Sequence, residues 1–175
     1  MGLERKKIIL FVLIGIFISA MLVYIVFDNY YFIYSVKGKS MEPTLHGNDR
    51  LIVKKIHNIH TLKRFDIIVF KNKDDKSKLL IKRIIGLYGE NIDIKDNIVF
   101  INGSKLSEPF LINTSNIKAN ILKKKGEFSY KSLNGFFLLG DNRNISRDSR
   151  TFGLISEDNI IGKAVLTYFP FKRLN

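Results

Sequence analysis

The hydrophobic and polar positions divide the chain into one long apolar run near the N-terminus and several short apolar runs after it. The long run covers residues 8–27, which are 20 residues without a charged side chain. A helix needs about 20 apolar residues to cross the hydrocarbon core of a bilayer. We therefore predict a transmembrane helix over 8–27, an N-terminal segment of residues 1–7, and a domain of residues 28–175.

Charged residues flank the long run asymmetrically. Arg5, Lys6 and Lys7 precede it and Asp28 follows it, so the positive-inside rule predicts a cytoplasmic N-terminus and an extracytoplasmic domain. The alternative is a cleaved signal peptide, which has an apolar core of about 7–15 residues and then a small-x-small site. The run is longer than such a core, and its candidate site at 18–20 lies inside it, so an anchor is favoured.

The short apolar runs have the length of strands and are bounded by turn or charged residues. Their number and spacing favour a mainly β fold, a folded sheet or barrel. The aromatic stretch 28–36 predicts an interfacial strand, Asn102-Gly103 predicts a two-residue hairpin, and the polar segment 107–131 predicts an excursion from the sheet. The other predicted strands are 50–54, 66–70, 79–85, 91–94, 98–102, 135–139 and 162–169.

Composition and charge narrow the possible partners. The absence of Cys excludes disulfides and thiolate metal sites. The net charge of +13 favours anionic partners such as lipid headgroups or wall polymers, although a solvated lysine-rich surface explains it equally well. An extracytoplasmic domain argues against nucleic acid as a partner.

Histidine chemistry has little support in the sequence. His46, His57 and His60 have no carboxylate cluster nearby to complete a metal site, so we expect surface histidines, no metal and no cofactor. A Ser-His-Asp triad is not excluded by spacing alone. None of the three, however, lies in a motif of the kind that presents a catalytic base.

A serine and a lysine offer a different chemistry. Ser40 follows an apolar strand, with Gly38 allowing unusual backbone angles before it and Pro43 breaking any regular continuation after it. Such a turn would expose the serine hydroxyl and leave its amide free to donate to an oxyanion. Lys82 and Arg83 lie within an apolar strand, so one of the two cations must face an apolar side. Desolvation lowers the pKa of a lysine by up to about 3–5 units, and the resulting neutral amine can accept a proton from a serine.

The turn at 140–150 follows an apolar strand and is dense in charged and hydrogen-bonding residues. A strand hairpin needs only a few turn residues, whereas this turn alternates acidic and basic side chains. We therefore predict an internally paired network that makes part of a site rigid.

Together these segments resemble the type I signal peptidases, membrane enzymes that remove signal peptides from exported preproteins. The resemblance covers the chain from the anchor to Pro170. It is carried by four boxes in order, which are SMEPTL at 40–45, RFDIIVF at 64–70, KRIIGLYGE at 82–90 and GDNRNISRDSRTFG at 140–153.

The resemblance implies a role for each matching residue. Ser40 is the expected nucleophile and Lys82 its general base, in a dyad that works through an acyl-enzyme. Ser146 is expected to hydrogen-bond and orient the lysine. The expected catalytic support is the ion pair Asp148–Arg150 and the turn formed by Asp141, Asn142 and Arg143.

Three positions depart from the family pattern. Gly38 stands where some members have a serine that completes the oxyanion hole, so the expected oxyanion donors are the Ser40 amide and the Gly38 backbone. Phe65 replaces a glycine before Asp66, and Leu87-Tyr88 replaces a pair that usually ends in proline. None of the three removes a catalytic group.

The resemblance also implies substrate and partners. The substrate is expected to bind as an extended strand, with small side chains selected by pockets at Val36, Met41, Leu45, Leu80 and Ile81. The expected partners are preprotein signal peptides, the lipid bilayer and the protein-export machinery. Two rival interpretations are a self-cleaving repressor of the same fold, which would have no anchor, and a non-catalytic β-domain that binds anionic wall polymer.

Overall fold

The computed structural model describes residues 2–73, 75–96, 98–114, 128–131 and 134–174. It divides into two compact units, Met1–Phe32 and Ile33–Asn175. The first unit is mainly one helix and the second is mainly β, as the hydrophobic pattern predicts.

The first unit contains helix α1, Gly2–Tyr30. Its stretch Glu4–Tyr30 is long and apolar enough to cross a membrane, and its window of highest hydropathy has no buried residues. The helix is longer than the predicted 8–27, and the strand expected over 28–36 begins only at Tyr31. Residues 28–30 include neither Gly nor Pro, and because adding one hydrogen bond to an existing helix costs little, the helix continues through them.

The second unit contains two antiparallel sheets. The larger has the strand order β1-β2-β10-β3-β4-β9, with β11 paired to β10, and the smaller has the order β7-β6-β5-β8. The strands are β1 (Tyr31–Ser35), β2 (Arg50–Lys55), β3 (Ile67–Lys71), β4 (Leu79–Gly86), β5 (Asn91–Lys95), β6 (Ile98–Ile101), β7 (Ser104–Lys105), β8 (Phe128–Lys131), β9 (Phe137–Leu139), β10 (Ile160–Phe169) and β11 (Phe171–Arg173). The only α-helix that the described part of this unit contains is α2, Ser149–Phe152.

All seven short runs predicted as strands are strands, with ends that differ by at most two residues. The predicted hairpin at Asn102-Gly103 joins β6 to β7, and both residues have positive φ, 49° and 81°, as a tight turn between twisted strands requires. Strands β7, β8 and β11 were not predicted, because each has four residues or fewer and shows too little alternation to detect.

The segment predicted as an excursion from the sheet lies only partly among the described residues. A 3-10 helix covers Pro109–Thr114, and residues 115–127 lie outside the described part of the chain. The last four residues of the segment form β8, which pairs with β5 in the smaller sheet. The expectation of an excursion is therefore wrong for 128–131, where Phe128 and Tyr130 pack against the core that β5 and β6 share.

Two clusters of buried side chains form the core. One joins β3, β4 and β9 through Ile68, Phe70, Ile84 and Leu138. The other joins the smaller sheet to residues of β4 and β9. Strand β4 contributes to both, since its last six residues, 81–86, are all buried. A buried central strand is a rigid support for a functional side chain.

Gly162 lies where β10 comes very close to its neighbouring strand β2. A Cβ atom at this position would lie 2.5 Å from the Lys54 carbonyl oxygen and 2.7 Å from Val53 Cγ1, so Gly162→Ala must push the two strands apart. We expect it to lower the free energy of unfolding by about 2–3 kcal/mol, measured by urea denaturation of the full chain in detergent. Gly47→Ala is the matched control, because its Cβ would meet only Gly38 O at 3.6 Å. Equal stability of the two variants would contradict the packing argument.

Candidate active site

Ser40 lies in the loop that joins β1 to β2. Two backbone hydrogen bonds close the neck of this loop, one from the Val36 amide to Asp49 O (2.9 Å) and one from the Asn48 amide to Val36 O (3.0 Å). Within the loop, Met41 and Leu45 are 1% and 0% exposed. The buried side chains of Met41 and Leu45 fix the turn that follows Ser40, while Ser40 itself stays partly accessible.

Lys82 reaches Ser40 from strand β4. Its Nζ donates to Ser40 Oγ at 2.7 Å and to the Ile81 carbonyl at 2.7 Å, and the residue is only 3% exposed. Burial lowers the pKa of Lys82 from 10.5 to about 8, against the opposing influence of the nearby carboxylates of Asp148 and Asp141. A buried amine with a pKa close to neutral pH, in contact with a hydroxyl, is suited to take the proton of that hydroxyl.

Arg83, the other cation of the pair, is buried as well, at 4% exposure. Its Nε donates to Asp141 Oδ1 at 2.8 Å, and a second guanidinium nitrogen pairs with Oδ2 of the same carboxylate. It also donates to Phe65 O and lies 4.0 Å from the centroid of the Phe110 ring. The sequence predicts that one of the two cations faces an apolar side, whereas both are buried, on opposite faces of β4. Arg83 is a site residue that the sequence analysis missed.

The turn at 140–150 contains the ion pair between Asp148 and Arg150. Arg150 Nε donates to Asp148 Oδ1 at 2.8 Å and its Nη2 to Oδ2 at 2.8 Å. Asp148 is fully buried, and its Oδ2 also accepts from the Gly140 amide at 3.0 Å. Arg150 donates further to the Arg143 carbonyl at 2.8 Å, so the ion pair fixes both ends of the turn.

This turn is bound directly to Ser40. The Asn142 amide donates to Ser40 O at 3.0 Å. Arg143 Nε donates to Gly140 O at 3.0 Å, and its guanidinium pairs with Glu108. The predicted support residues therefore belong to a turn that contacts Ser40 through Asn142, and Asp141 pairs with Arg83 rather than within the turn.

Gly140 allows the turn to approach this closely. A Cβ atom there would lie 2.1 Å from Ser146 Oγ and 2.5 Å from Ser40 O, distances that no side chain could tolerate. Ser40 and Ser146 therefore pack against the same Cα atom.

Ser146 does not make the contact that the resemblance implies. Its Oγ is buried and has no hydrogen-bonding partner among the described residues. The hydrogen bond expected between Ser146 and Lys82 is thus not formed, and the Lys82 amine donates only to Ile81 O and Ser40 Oγ among the described residues.

The backbone around Ser40 includes the two predicted oxyanion donors. In the described part of the chain the Ser40 amide donates no hydrogen bond. Gly38 has a φ of 79°, and nothing lies within 4 Å of the position of its missing Cβ. The open space beside Gly38 leaves the loop accessible on that side.

A cleft of about 530 Å³ opens over the Ser40–Lys82 pair, lined by residues of 33–40 on one side and of 77–82 on the other. Of the predicted substrate residues, Leu80 and Ile81 line it. Met41 and Leu45 are instead buried beneath the loop, and Val36 lines a neighbouring depression with Gly38. The resemblance implies that residues 36–41 and 79–82 flank the substrate, and Lys37 and Leu79 from these segments also line the cleft. The sequence analysis missed the lining residues Ile33, Tyr34, Ser35, Ser77 and Lys78.

Within the described ranges, no strand pairs with the part of the β4 edge that faces this cleft, and we call this part the open edge. Lys78 and Ile84 both make backbone hydrogen bonds on the β3 side, and residues bonded to one neighbour alternate along an antiparallel strand. The backbone groups of Leu79 and Ile81 therefore point to the opposite edge. Strand β9 pairs with that edge from Arg83 onwards, which leaves Leu79 and Ile81 beyond its reach.

None of the three histidines lines this cleft, although His46 lines the neighbouring depression beside Gly38. His57 and His60 line a separate cavity with Glu157 and Asp158. Within the described ranges, no three His, Cys, Asp or Glu side chains are grouped so that they could hold a metal ion.

Comparison with known proteins identifies the same family as the sequence boxes. A profile of the family described as signal peptidase, peptidase S26, matches residues 5–169. Signal peptidase I V of Bacillus subtilis strain 168 is 44% identical over 138 residues, which cover 74% of this chain and 80% of that protein. Signal peptidase I of Bacillus caldolyticus is 39% identical over 171 residues, which cover 91% and 89%.

A solved structure agrees. The crystal structure of a signal peptidase I from Enterococcus faecalis V583 matches with a TM-score of 0.51 and 32% identity, and the match covers 61% of this chain and 98% of that one. The predicted mainly β fold class is thereby confirmed. Since the profile spans nearly the whole chain and both relatives exceed 30% identity over most of it, the chain belongs to the signal peptidase, peptidase S26, family and is a serine peptidase of the type I signal peptidase kind.

Proposed function

We propose that this chain is a membrane-anchored endopeptidase that removes signal peptides from exported preproteins, with Ser40 as nucleophile and Lys82 as general base. The observation that carries the proposal is the 2.7 Å contact between Lys82 Nζ and Ser40 Oγ, made by a lysine that is 3% exposed. The fold does not need a buried amine in contact with a serine hydroxyl, whereas a Ser-Lys catalytic dyad does.

The reaction begins with the neutral Lys82 amine. It takes the proton of Ser40 Oγ while Oγ attacks the carbonyl carbon of the residue before the cut. The Ser40 amide, with the Gly38 backbone, stabilises the negative charge on the carbonyl oxygen. As the C–N bond breaks, the Lys82 ammonium gives its proton to the leaving amine, and an ester of Ser40 remains.

The ester is then hydrolysed by the same base. Lys82 takes a proton from a water molecule whose oxygen attacks the ester carbonyl, and it returns that proton to Ser40 Oγ as the acid product leaves. The turn around Ser146, Asp148 and Arg150 supports these steps by holding the Ser40 backbone in one position through the Asn142 amide.

The substrate binds as an extended strand beside the open edge of β4. Main-chain hydrogen bonds to such an edge give affinity, and alternate side chains enter pockets. Leu80 and Ile81 line the cleft, while Met41 and Leu45 form the apolar layer beneath the loop of Ser40. Such shallow apolar surroundings favour small side chains such as Ala at the first and third positions before the cut.

The anchor places the domain at a membrane surface. The stretch Glu4–Tyr30 is long and apolar enough to cross the bilayer, and the cations at 5–7 favour a cytoplasmic N-terminus. The domain then lies outside, where exported preproteins emerge, with the lipid bilayer and the export machinery as its surroundings. The net charge of +13 favours contact with anionic headgroups.

Removing either member of the dyad should abolish cleavage. Ser40→Ala lacks the nucleophile and Lys82→Ala lacks the base, so we expect each to lower kcat by on the order of 10³-fold or more, measured with a purified preprotein. Lys54→Ala, the same change at an exposed position of β2, is the control and should cleave normally. Substantial cleavage by Lys82→Ala would refute the assignment of the base.

The pH dependence of cleavage should follow the titration of the Lys82 amine. Only the unprotonated form of Lys82 can act as base, so we expect kcat/KM to rise about tenfold per pH unit below the lysine's pKa and to level off above pH of about 8. The measurement is initial rates from pH 6 to 10 with a peptide that does not titrate in this range. A flat profile would be inconsistent with a neutral lysine base.

Ser146→Ala should be a much milder change. Its hydroxyl is buried without a partner, so removing it leaves nucleophile and base in contact and eliminates an unsatisfied polar group. We expect the variant to be at least as stable as the wild type in thermal unfolding and to retain activity at least about tenfold above that of Lys82→Ala. A loss of activity as large as that of Lys82→Ala would show that Ser146 is required during the reaction.

A further inference from the structure

The side chain of Tyr34 links the two walls of the cleft that contains Ser40 and Lys82. Its hydroxyl donates to the Leu79 carbonyl at 3.1 Å, and so connects the segment before Ser40 to the open edge of β4. Tyr34 and Leu79 both line the cleft that contains Ser40 and Lys82. Burial raises the pKa of Tyr34 above 10, so the hydroxyl remains protonated, and a donor, throughout the range in which the lysine titrates.

The Tyr34 hydroxyl occupies a backbone carbonyl on the open edge of β4. Leu79 and Ile81 are the residues of β4 whose backbone groups face the open edge, and successive carbonyls on one edge of an antiparallel strand are about 7 Å apart. The Ile81 carbonyl accepts from Lys82 Nζ and the Leu79 carbonyl accepts from Tyr34. Side chains thus satisfy both acceptors in the absence of a peptide.

An extended peptide presents its amides with the same spacing. Residues two apart in an extended chain direct their N–H groups to the same side, about 7 Å apart. A peptide paired with the open edge next to Ser40 would therefore bring one amide to the Leu79 carbonyl. That carbonyl can accept the substrate amide in good geometry only if the Tyr34 hydroxyl moves away.

We propose that Tyr34 is a positioning residue whose hydroxyl substitutes for a backbone amide of the substrate at the Leu79 carbonyl, and that substrate binding exchanges one donor for the other. The proposal rests on the proposed function, since it requires a peptide along the β4 edge. A substrate with a free amide at this position completes the exchange. One with proline there has no amide to donate and leaves Tyr34 lying across the cleft.

The exchange predicts a gain in binding when the hydroxyl is removed. In Tyr34→Phe the Leu79 carbonyl is bonded only to water, so the substrate no longer has to break an intramolecular hydrogen bond. We expect the Kd of an uncleaved peptide to fall about two- to tenfold. If Tyr34 were only a structural link between the two walls of the cleft, its loss would loosen the site and weaken binding, which is the opposite sign.

Binding is measured on the full chain in detergent, with Ser40→Ala as background so that the peptide is not cut. The variants compared are Ser40→Ala alone, with Tyr34→Phe, and with Tyr88→Phe. Tyr88 is the matched control because it packs edge-on against Phe136 and lines a separate cavity. Tighter binding with Tyr34→Phe and unchanged binding with Tyr88→Phe is the expected result.

A set of N-methylated peptides identifies the amide. Each of the four residues before the cut is N-methylated in turn, and the ratio of Kd values with and without Tyr34→Phe is measured. At one position, and at no other, N-methylation should abolish the advantage of Tyr34→Phe. A proline peptide at that position should likewise show no advantage.

The outcomes separate the two proposals. Unchanged or weaker binding with Tyr34→Phe, or an advantage that survives N-methylation at every position, overturns the role of Tyr34. Failure of the enzyme with native Ser40 to cleave the peptide, or equal cleavage by Ser40→Ala, overturns the proposed function instead. Cleavage that depends on Ser40 together with unchanged binding by Tyr34→Phe would therefore reject only the present inference.

Discussion

The structure depends on a lysine amine that is kept out of water beside a serine hydroxyl. The pKa of Lys82 is lowered from 10.5 to about 8 by burial, which corresponds to about 3 kcal/mol in favour of the neutral amine. The unfolded chain holds its proton up to higher pH than the folded one, so stability increases as pH rises from about 8 to 10.5 and is reduced by this residue below that range. The fold retains a destabilising group at the position where the proposed mechanism requires a base.

The neighbouring residue of β4, Arg83, is a buried cation that stays charged. Arg83 cannot lose its proton, and it is accordingly paired with Asp141 through two hydrogen bonds. Lys82 forms no ion pair in the described structure and adjusts its protonation instead. The carboxylates of Asp148 and Asp141 both raise the pKa of Lys82, and each is neutralised by its own arginine, so the arginine partners limit the effect that works against a neutral base.

These observations also explain which features could be predicted from the sequence. The strands with long apolar runs and the hairpin at Asn102-Gly103 were predictable, because periodicity and turn motifs are written in contiguous residues. The pairing of Ser40 with Lys82, 42 positions apart, was predicted from the resemblance to the type I signal peptidases. The short strands β8 and β11, the burial of Arg83 and the contact of Tyr34 with Leu79 were not. Each arises from residues brought together by the sheet from 18 to 58 positions apart, or from strands too short to show a period. The absence of a hydrogen bond between Ser146 and Lys82 was also unpredictable, because it depends on how distant parts of the chain place the two side chains.

An open strand edge is a hazard in a β protein, since unpaired carbonyls and amides invite association with other chains. A peptidase that binds its substrate as an added strand cannot cover that edge with another strand without blocking its own site. In this chain two side chains of the site satisfy the exposed acceptors, Lys82 at Ile81 and Tyr34 at Leu79. These side-chain donors satisfy the two carbonyls of the edge, yet an incoming peptide can displace them one hydrogen bond at a time. The arrangement that protects the edge in the free enzyme is therefore also one that an extended substrate can replace.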